Sequence, residues 1–415
     1  MANTEQNLTL QSSIWYKPET TTISFPDAWK VQIAHMAGHE KQKLAEDDLR
    51  SKILNQPIGA KTITEEASGA DDAVILFDDL TRPTRTSRIV PVVLDQLHQA
   101  GVADDSIGFV MAQGAHRAHM RYDYEQKLGK SIIQQYPVYS HNPFQTGLRL
   151  GYTDSGTLVE INPEVMNYDF KIGIGGIIPH AQMGYGGGGK IILPGVASIE
   201  TIRQNHYLSI NPQGKTRENA GWGCYRSNEH RKDVEQAARM ANLDYKIDAF
   251  LNYQGEMVDI FAGDPIEEHH QGSAEAKNHY KTTAGENAEL VIANTCCKAT
   301  EAGLAVQQAA KSLPETGGTL IIVENSRQGL APHYLYGRWG CKEVGGIDWT
   351  PNNSLPEKVE KLIVYSKYVD KGQDWWFGPA DQVEWMQDWD DIVEEVGADQ
   401  KEVVIYPDAT IQLIS

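Results

Sequence analysis

The chain has 415 residues, of which 40% are hydrophobic and 22% charged, proportions that argue against a disordered or fibrous protein. Lys and Arg number 37 against 56 Asp and Glu, a formal charge of −19, and no long basic run occurs, so a phosphate-backbone partner is disfavoured. The longest apolar runs, such as Ala73–Phe77 and Leu320–Val323, fall far short of the ~20 residues of a membrane-spanning helix.

From the N-terminus, Met1 to Trp15 lacks the apolar core of a signal peptide. His35 and His39 lie four apart with no acidic ligand pattern around them, and we read them as structural. Ala73–Phe77 reads as a buried strand followed at once by polar turn residues. Arg88–Ala100 shows helical spacing of apolar residues and stops at Gly101. Ile107–Met111 and Phe170–Ile174 are further buried strands, and Leu290–Ala293, Thr319–Val323, Leu362–Tyr365 and Val403–Tyr406 continue the series. Strands alternating with helices define an α/β protein with mostly parallel sheets. The polar stretch Lys281–Asn287 suggests a boundary, giving domains of 1–284 and 285–415. Trp375 to Glu395, rich in Trp and acids, is expected as a surface helix docked by its aromatics. The four cysteines (Cys224, Cys296, Cys297, Cys341) form no CxxC pair, and neighbours such as Cys296 and Cys297 rarely bridge each other, so a reducing cytoplasm is expected.

In parallel sheets, ligands bind beyond the carboxyl ends of strands. Three polar segments follow the first three strands: Asp78–Thr84 (DDLTRPT), Gln113–Arg117 (QGAHR) and Gly175–His180. In the first, Asp79, Thr81 and Arg82 share a turn, and Arg offers a planar fork for a carboxylate or phosphate. His116 and His180 end the second and third, and histidine serves as acid, base or metal ligand near neutrality. The glycines Gly186–Gly189 then precede Lys190, a pattern that lets backbone N–H groups and a cation meet an anion. Gly184–Lys190 fits the start of a phosphate loop, but Ile191 stands where Ser or Thr would hold magnesium, against nucleotide hydrolysis or transfer. His206 closes the next helical stretch.

These residues resemble the nickel-dependent lactate racemase family. The resemblance rests on DDLTRPT, on GAHR at Gly114–Arg117, and on HAQMGYGGGGKIILPGVASIETIRQNH from His180 to His206, with ten residues from His to Lys and sixteen more to the next His. It implies two α/β domains with the active site in the cleft between them, and a nickel-pincer nucleotide carrying sulfur donors that grip nickel. By that resemblance Lys190 is the residue tethered to the cofactor and His206 the protein ligand to nickel. His116 and His180 are the acid/base pair, and Arg82 orients substrate. Asp79, Thr81, Gly187, Gly188 and Gly189 belong to the cofactor site. Gln308 and Lys311 match the family's Gln-x-x-Lys pair facing the substrate.

The reaction implied is inversion of the 2-carbon of a 2-hydroxy acid by proton-coupled hydride transfer through a transient 2-keto acid. The expected partners are that small molecule and the proteins that synthesise and deliver the cofactor, with no nucleic acid and no membrane. Gln307 stands where lactate racemases tend to carry an aromatic residue, and Gly221–Asn228 is unfamiliar for the family, which points to a larger or more polar acid than lactate. The competing reading is a protein that binds or stores the nucleotide without racemising anything.

Overall fold

The computed structural model describes residues 6–15, 19–211, 216–337 and 354–415; Cys341 and the start of the N-terminal stretch fall outside them. The chain divides into two compact units, Lys41–Lys277 and a second made of Met1–Glu40 with Asn278–Ser415.

The unit Lys41–Lys277 is built on a six-stranded sheet in the order Met257–Gly263, Tyr245–Leu251, Phe170–Gly176, Ala73–Asp78, Ile107–Ala112, Val138–Ser140. All neighbours are parallel except the first pair, which is an antiparallel hairpin. Every residue of Ala73–Asp78, Phe170–Gly176 and Tyr245–Leu251 is buried. Parallel strands covered on both faces are mostly apolar, and the charged exceptions in these three are Asp78, Lys171, Lys246 and Asp248. Thr86–Ala100 packs as a helix whose buried face includes Ile89, Val90, Val93, Leu94 and Leu97, and Gly101 ends it with φ +98°.

The second unit holds a fully parallel six-stranded sheet, ordered Val383–Met386, Val359–Tyr365, Gly318–Val323, Leu290–Asn294, Lys401–Tyr406, Trp29–Ile33. Alternate residues serve opposite faces. Val291, Ala293, Leu320 and Ile322 pack with Ala305, Val306 and Ala309 of the helix Leu304–Ala309. Ile292, Ile321, Val323 and Ile405 pack instead with Leu10, Ile23 and Phe25 of an N-terminal β-hairpin and with Trp389 and Ile392.

Two expectations are corrected here. The first forty residues do not belong with the N-terminal domain, because Trp29–Ile33 extends the second sheet by pairing with Lys401–Tyr406 and the hairpin before it covers that sheet. Trp375–Glu395 is not one helix: Val383–Met386 forms the edge strand and only Trp389–Val396 is α-helical, started by the Asp388 cap. Its aromatics are shared between faces, with Trp385 on one side of the sheet and Trp389 on the other.

Candidate active site

Beyond the carboxyl end of Ala73–Asp78 the chain turns sharply, and a buried lysine holds the turn. Lys127 Nζ donates to Asp78 Oδ1 at 2.6 Å, to the Arg82 carbonyl at 2.8 Å and to the Thr84 carbonyl at 3.2 Å, using all three of its protons. Thr84 Oγ1 donates to Asp78 Oδ2 at 2.7 Å. Within this frame Thr81 Oγ1 donates to Asp79 Oδ1 at 2.5 Å, and Arg82 Nη1 donates to Thr81 Oγ1 at 2.8 Å.

The loop after Ile107–Ala112 brings His116 to the same place. Gly114, with φ +57°, lies against Pro194 and donates its N–H to the Gly195 carbonyl at 2.9 Å; a Cβ there would stand 3.2 Å from the Pro194 carbonyl oxygen. His116 Nδ1 then meets Asp79 Oδ2 at 2.7 Å. With that N–H donated to a carboxylate, the neutral ring carries its basic lone pair on Nε2. Burial works against a charge on Asp79, yet His116, its hydrogen bond, His119 and Arg82 hold the carboxyl well below the usual carboxylate range.

The glycine run is fixed from beneath. Arg231, fully buried, donates to the carbonyls of Gly187 (3.1 Å) and Tyr185; His269 Nε2 donates to the Gly186 carbonyl at 2.9 Å; Asp248 Oδ2 accepts the Gly188 N–H at 2.6 Å. Burial pushes the Arg231 guanidinium down to about 10, so it remains a cation at neutral pH. Gly188 and Gly189 face inward: a Cβ on Gly188 would lie 2.8 Å from His269, and one on Gly189 2.9 Å from Ala238. The run is glycine here because of close packing as well as backbone turning. It delivers Lys190, on the short 3₁₀ turn Gly188–Ile191, to the recess.

That recess is lined among others by Asp79, Arg82, His116, Lys190, Lys246 and Gly187. Lys246 pairs with Asp248 on the buried strand Tyr245–Leu251. The glycines of Phe170–Gly176 make room for the pair, since a Cβ on Gly175 would stand 3.1 Å from both Lys246 Nζ and Asp248 Oδ1. The structure thus brings Asp79, Arg82, His116, Gly187 and Lys190 together. Thr81, Gly188 and Gly189 support the walls and do not line the recess.

His206 lies near Lys190 and His116, and neither it nor His180 is among the residues that line the recess. His206 lies in the helix Ile199–Tyr207, started by the Ser198 cap; its Nδ1 donates to the Ile202 carbonyl at 2.9 Å. Burial, then Lys190 and His116 nearby, push its pKa down to about 3, so it is a neutral imidazole with its lone pair on Nε2, the form that binds metals. His180 Nδ1 accepts the N–H groups of Gln182 (3.2 Å) and Met183 (3.3 Å), which leaves its proton on Nε2. Gln308 and Lys311 belong to the second unit. There Gln308 Oε1 accepts the Ile414 N–H at 3.1 Å, and Lys311 Nζ donates to the Ile414 carbonyl at 2.7 Å.

The sequence reading missed Lys127, Arg231, His269, Lys246 and Asp248. Only the last two left a signal: two opposite charges at alternate positions of an otherwise apolar strand, YKIDAFL.

Buried neutral histidines give this unit an acid limb. His141 Nε2 donates to the Ala197 carbonyl at 2.8 Å while Nδ1 accepts from Asn162 at 3.1 Å, and burial pushes its pKa from 6.5 to about 4. The unfolded chain therefore binds a proton between those values that the folded chain does not. The stability this contributes is complete above pH 6.5 and is lost as pH falls, by about 2 kcal/mol at pH 5. Urea unfolding at pH 7.5 and 5.0 is expected to show a stability difference smaller by that amount in His141→Gln than in the wild type.

Comparison with known proteins matches residues 16–217 to the model for the lactate racemase N-terminal domain. Lactate racemase of Thermoanaerobacterium thermosaccharolyticum is 29% identical over 260 residues, 62% of this chain and 59% of that one; the chain thus matches under two thirds of that relative's length. Lactate racemase of Lactiplantibacillus plantarum is 28% identical over 336 residues, 77% of this chain and 76% of that one. The solved lactate racemase apoprotein of T. thermosaccharolyticum superposes with TM-score 0.73 at 21% identity, covering 98% of this chain and 100% of that one. A Thermotoga maritima crystal structure follows with TM-score 0.65 at 14% identity, covering 90% and 99%.

Proposed function

This chain belongs to the lactate racemase family, and from that premise we propose that it is a racemase or epimerase of a 2-hydroxy acid, working with a nickel-pincer nucleotide. The observation that carries the reading is the convergence of the Asp79–His116 pair, Arg82 and Lys190 on one glycine-walled recess.

The residues present fit such a group. Gly175, Gly176, Gly187 and Gly195 line the recess, so no side chain from these four positions fills it. Lys190 offers an amine for the tether, His206 a neutral nitrogen for nickel, and Asp79, Thr81 and Gly187–Gly189 the surrounding frame. When bound, the cofactor supplies an acceptor and donor of hydride at the substrate 2-carbon.

The chain supplies the rest. A C–H beside a carboxylate is too weakly acidic for a simple base, so the proton to be moved is that of the hydroxyl. His116, with a lone pair on Nε2, takes this proton, and Asp79 stabilises the imidazolium that forms. His180, assigned by resemblance as the second acid–base, gives a proton from its imidazolium form to the oxygen when hydrogen returns to the opposite face, and is left as the neutral ring. His116 ends the turnover protonated and His180 neutral, so the roles exchange for the other enantiomer. Arg82 offsets the substrate carboxylate, with Lys311 and Gln308 assigned by resemblance to the same substrate.

The test is chiral chromatography of single-enantiomer 2-hydroxy acids, from lactate to dicarboxylic and longer polar ones, incubated with protein purified from a cofactor-producing host. Inversion of at least one acid, with the polar ones faster than lactate, is expected. A nickel-loaded protein that inverts none of them favours the storage reading.

A further inference from the structure

The second unit carries a cluster that the proposed reaction does not use. Cys296 and Cys297 follow the strand Leu290–Asn294, and Asp408 follows its parallel neighbour Lys401–Tyr406. Both segments therefore leave the carboxyl edge of the sheet side by side, the edge at which such sheets bind ligands. The two Sγ atoms and a carboxylate oxygen of Asp408 lie within 4.8 Å of one another. Both cysteines are 2% exposed and Asp408 is wholly buried.

The carboxylate is held in place. Asp408 Oδ2 accepts the Cys297 N–H at 2.7 Å, and Oδ1 accepts the Thr410 N–H at 3.2 Å and its hydroxyl at 2.5 Å. Lys298, next to Cys297 in the chain, is engaged by Glu301 at 2.6 Å. Among the described residues Asp408 takes part in no ion pair, although a buried carboxylate ordinarily needs a cation. Asn294, whose Nδ2 donates to the Pro407 carbonyl at 2.8 Å, adds a buried Oδ1 that has no hydrogen-bond partner among the described residues.

We propose that Cys296, Cys297 and Asp408 bind one thiophilic divalent cation of the zinc class, separate from the nickel proposed at His206. Two sulfurs and one oxygen are a borderline-soft donor set that suits zinc, with a fourth tetrahedral position left for water. Binding replaces two thiol protons with one doubly charged ion, so two protons leave and the charge of the buried site does not change. Neither the donor set nor its place in the fold depends on the proposed racemase activity.

The experiment uses the full chain, stripped with a chelator under reducing conditions and titrated with Zn²⁺ alone against a chromophoric competitor. One Zn²⁺ per chain is expected, with two protons released in weak buffer and a zinc-dependent rise in melting temperature. Cd²⁺ in its place is expected to give thiolate-to-metal absorption, a signature readable on the wild type alone. Cys296→Ser and Cys297→Ser each weaken zinc by more than the ~10–100-fold of an outer-shell change, while Cys224→Ser and His206→Ala leave it intact. A wild type that holds no zinc and shows no cadmium–thiolate band overturns the proposal. So does zinc binding that survives both site substitutions, or isolation of Cys296 and Cys297 as a disulfide that resists reduction.

Discussion

Replacing His116 by Ala is expected to slow inversion by about 10²–10⁴-fold in both directions, the range for losing a general acid–base, while the chain keeps its fold and its bound nickel. His116 lines the recess and spends its Nδ1 on Asp79, so its other nitrogen is the one that handles the substrate proton. Asp79→Asn separates position from charge. The amide fills the same space but withdraws the negative charge beside Nδ1, leaving the imidazolium unsupported. A large rate loss with little change in KM is expected. The readout that distinguishes this from a structural effect is urea unfolding, because Asp79 also accepts from Thr81 Oγ1 and N at 2.5 and 3.1 Å. A variant that loses rate while keeping its unfolding midpoint supports the proton-handling role. Full rate in either variant contradicts it.

Lys190→Ala is expected to abolish inversion altogether, because the proposed tether is covalent and the other lysine that lines the recess is already engaged. Lys246, which also lines the recess, is engaged by Asp248 on its own strand. Nickel bound through the cofactor is expected to fall to background in this variant, whereas any zinc at Cys296, Cys297 and Asp408 is expected to persist. Metal analysis resolving the two elements checks both statements on one sample.

The strands were readable because each is a short run of Val, Ile, Leu and Phe that the fold buries on both faces, as at Ala73–Asp78 and Leu290–Asn294. The turn residues Asp79 and Arg82, with His116, were readable because a parallel sheet presents its strand ends on one side, and Lys190 because of the glycine run before it. What holds them was not. Lys127 lies 49 residues from Asp78 and Arg231 lies 46 from Tyr185, and both sit in helices of largely polar sequence, where Lys and Arg ordinarily face solvent. Burial of those charges depends on distant carbonyl partners, and no local pattern encodes that. The N-terminal forty residues failed for the same reason: the partner of Trp29–Ile33 is some 370 residues away, at Lys401–Ile405. The Trp-rich tail misled because Trp385 on the edge strand and Trp389 at the start of the following helix are four residues apart, a helical spacing produced by two different elements.

The proposed racemase chemistry requires Lys190 to carry a nickel-binding nucleotide in this recess. The most direct measurement is the intact mass of the denatured chain from a cofactor-producing host, with peptide mapping of the modified residue and nickel assayed before denaturation. A mass adduct on the peptide that contains Lys190, accompanied by one nickel per modified chain, is the predicted result. An unmodified chain without nickel from the same host contradicts the tether and leaves a family fold that has lost its cofactor.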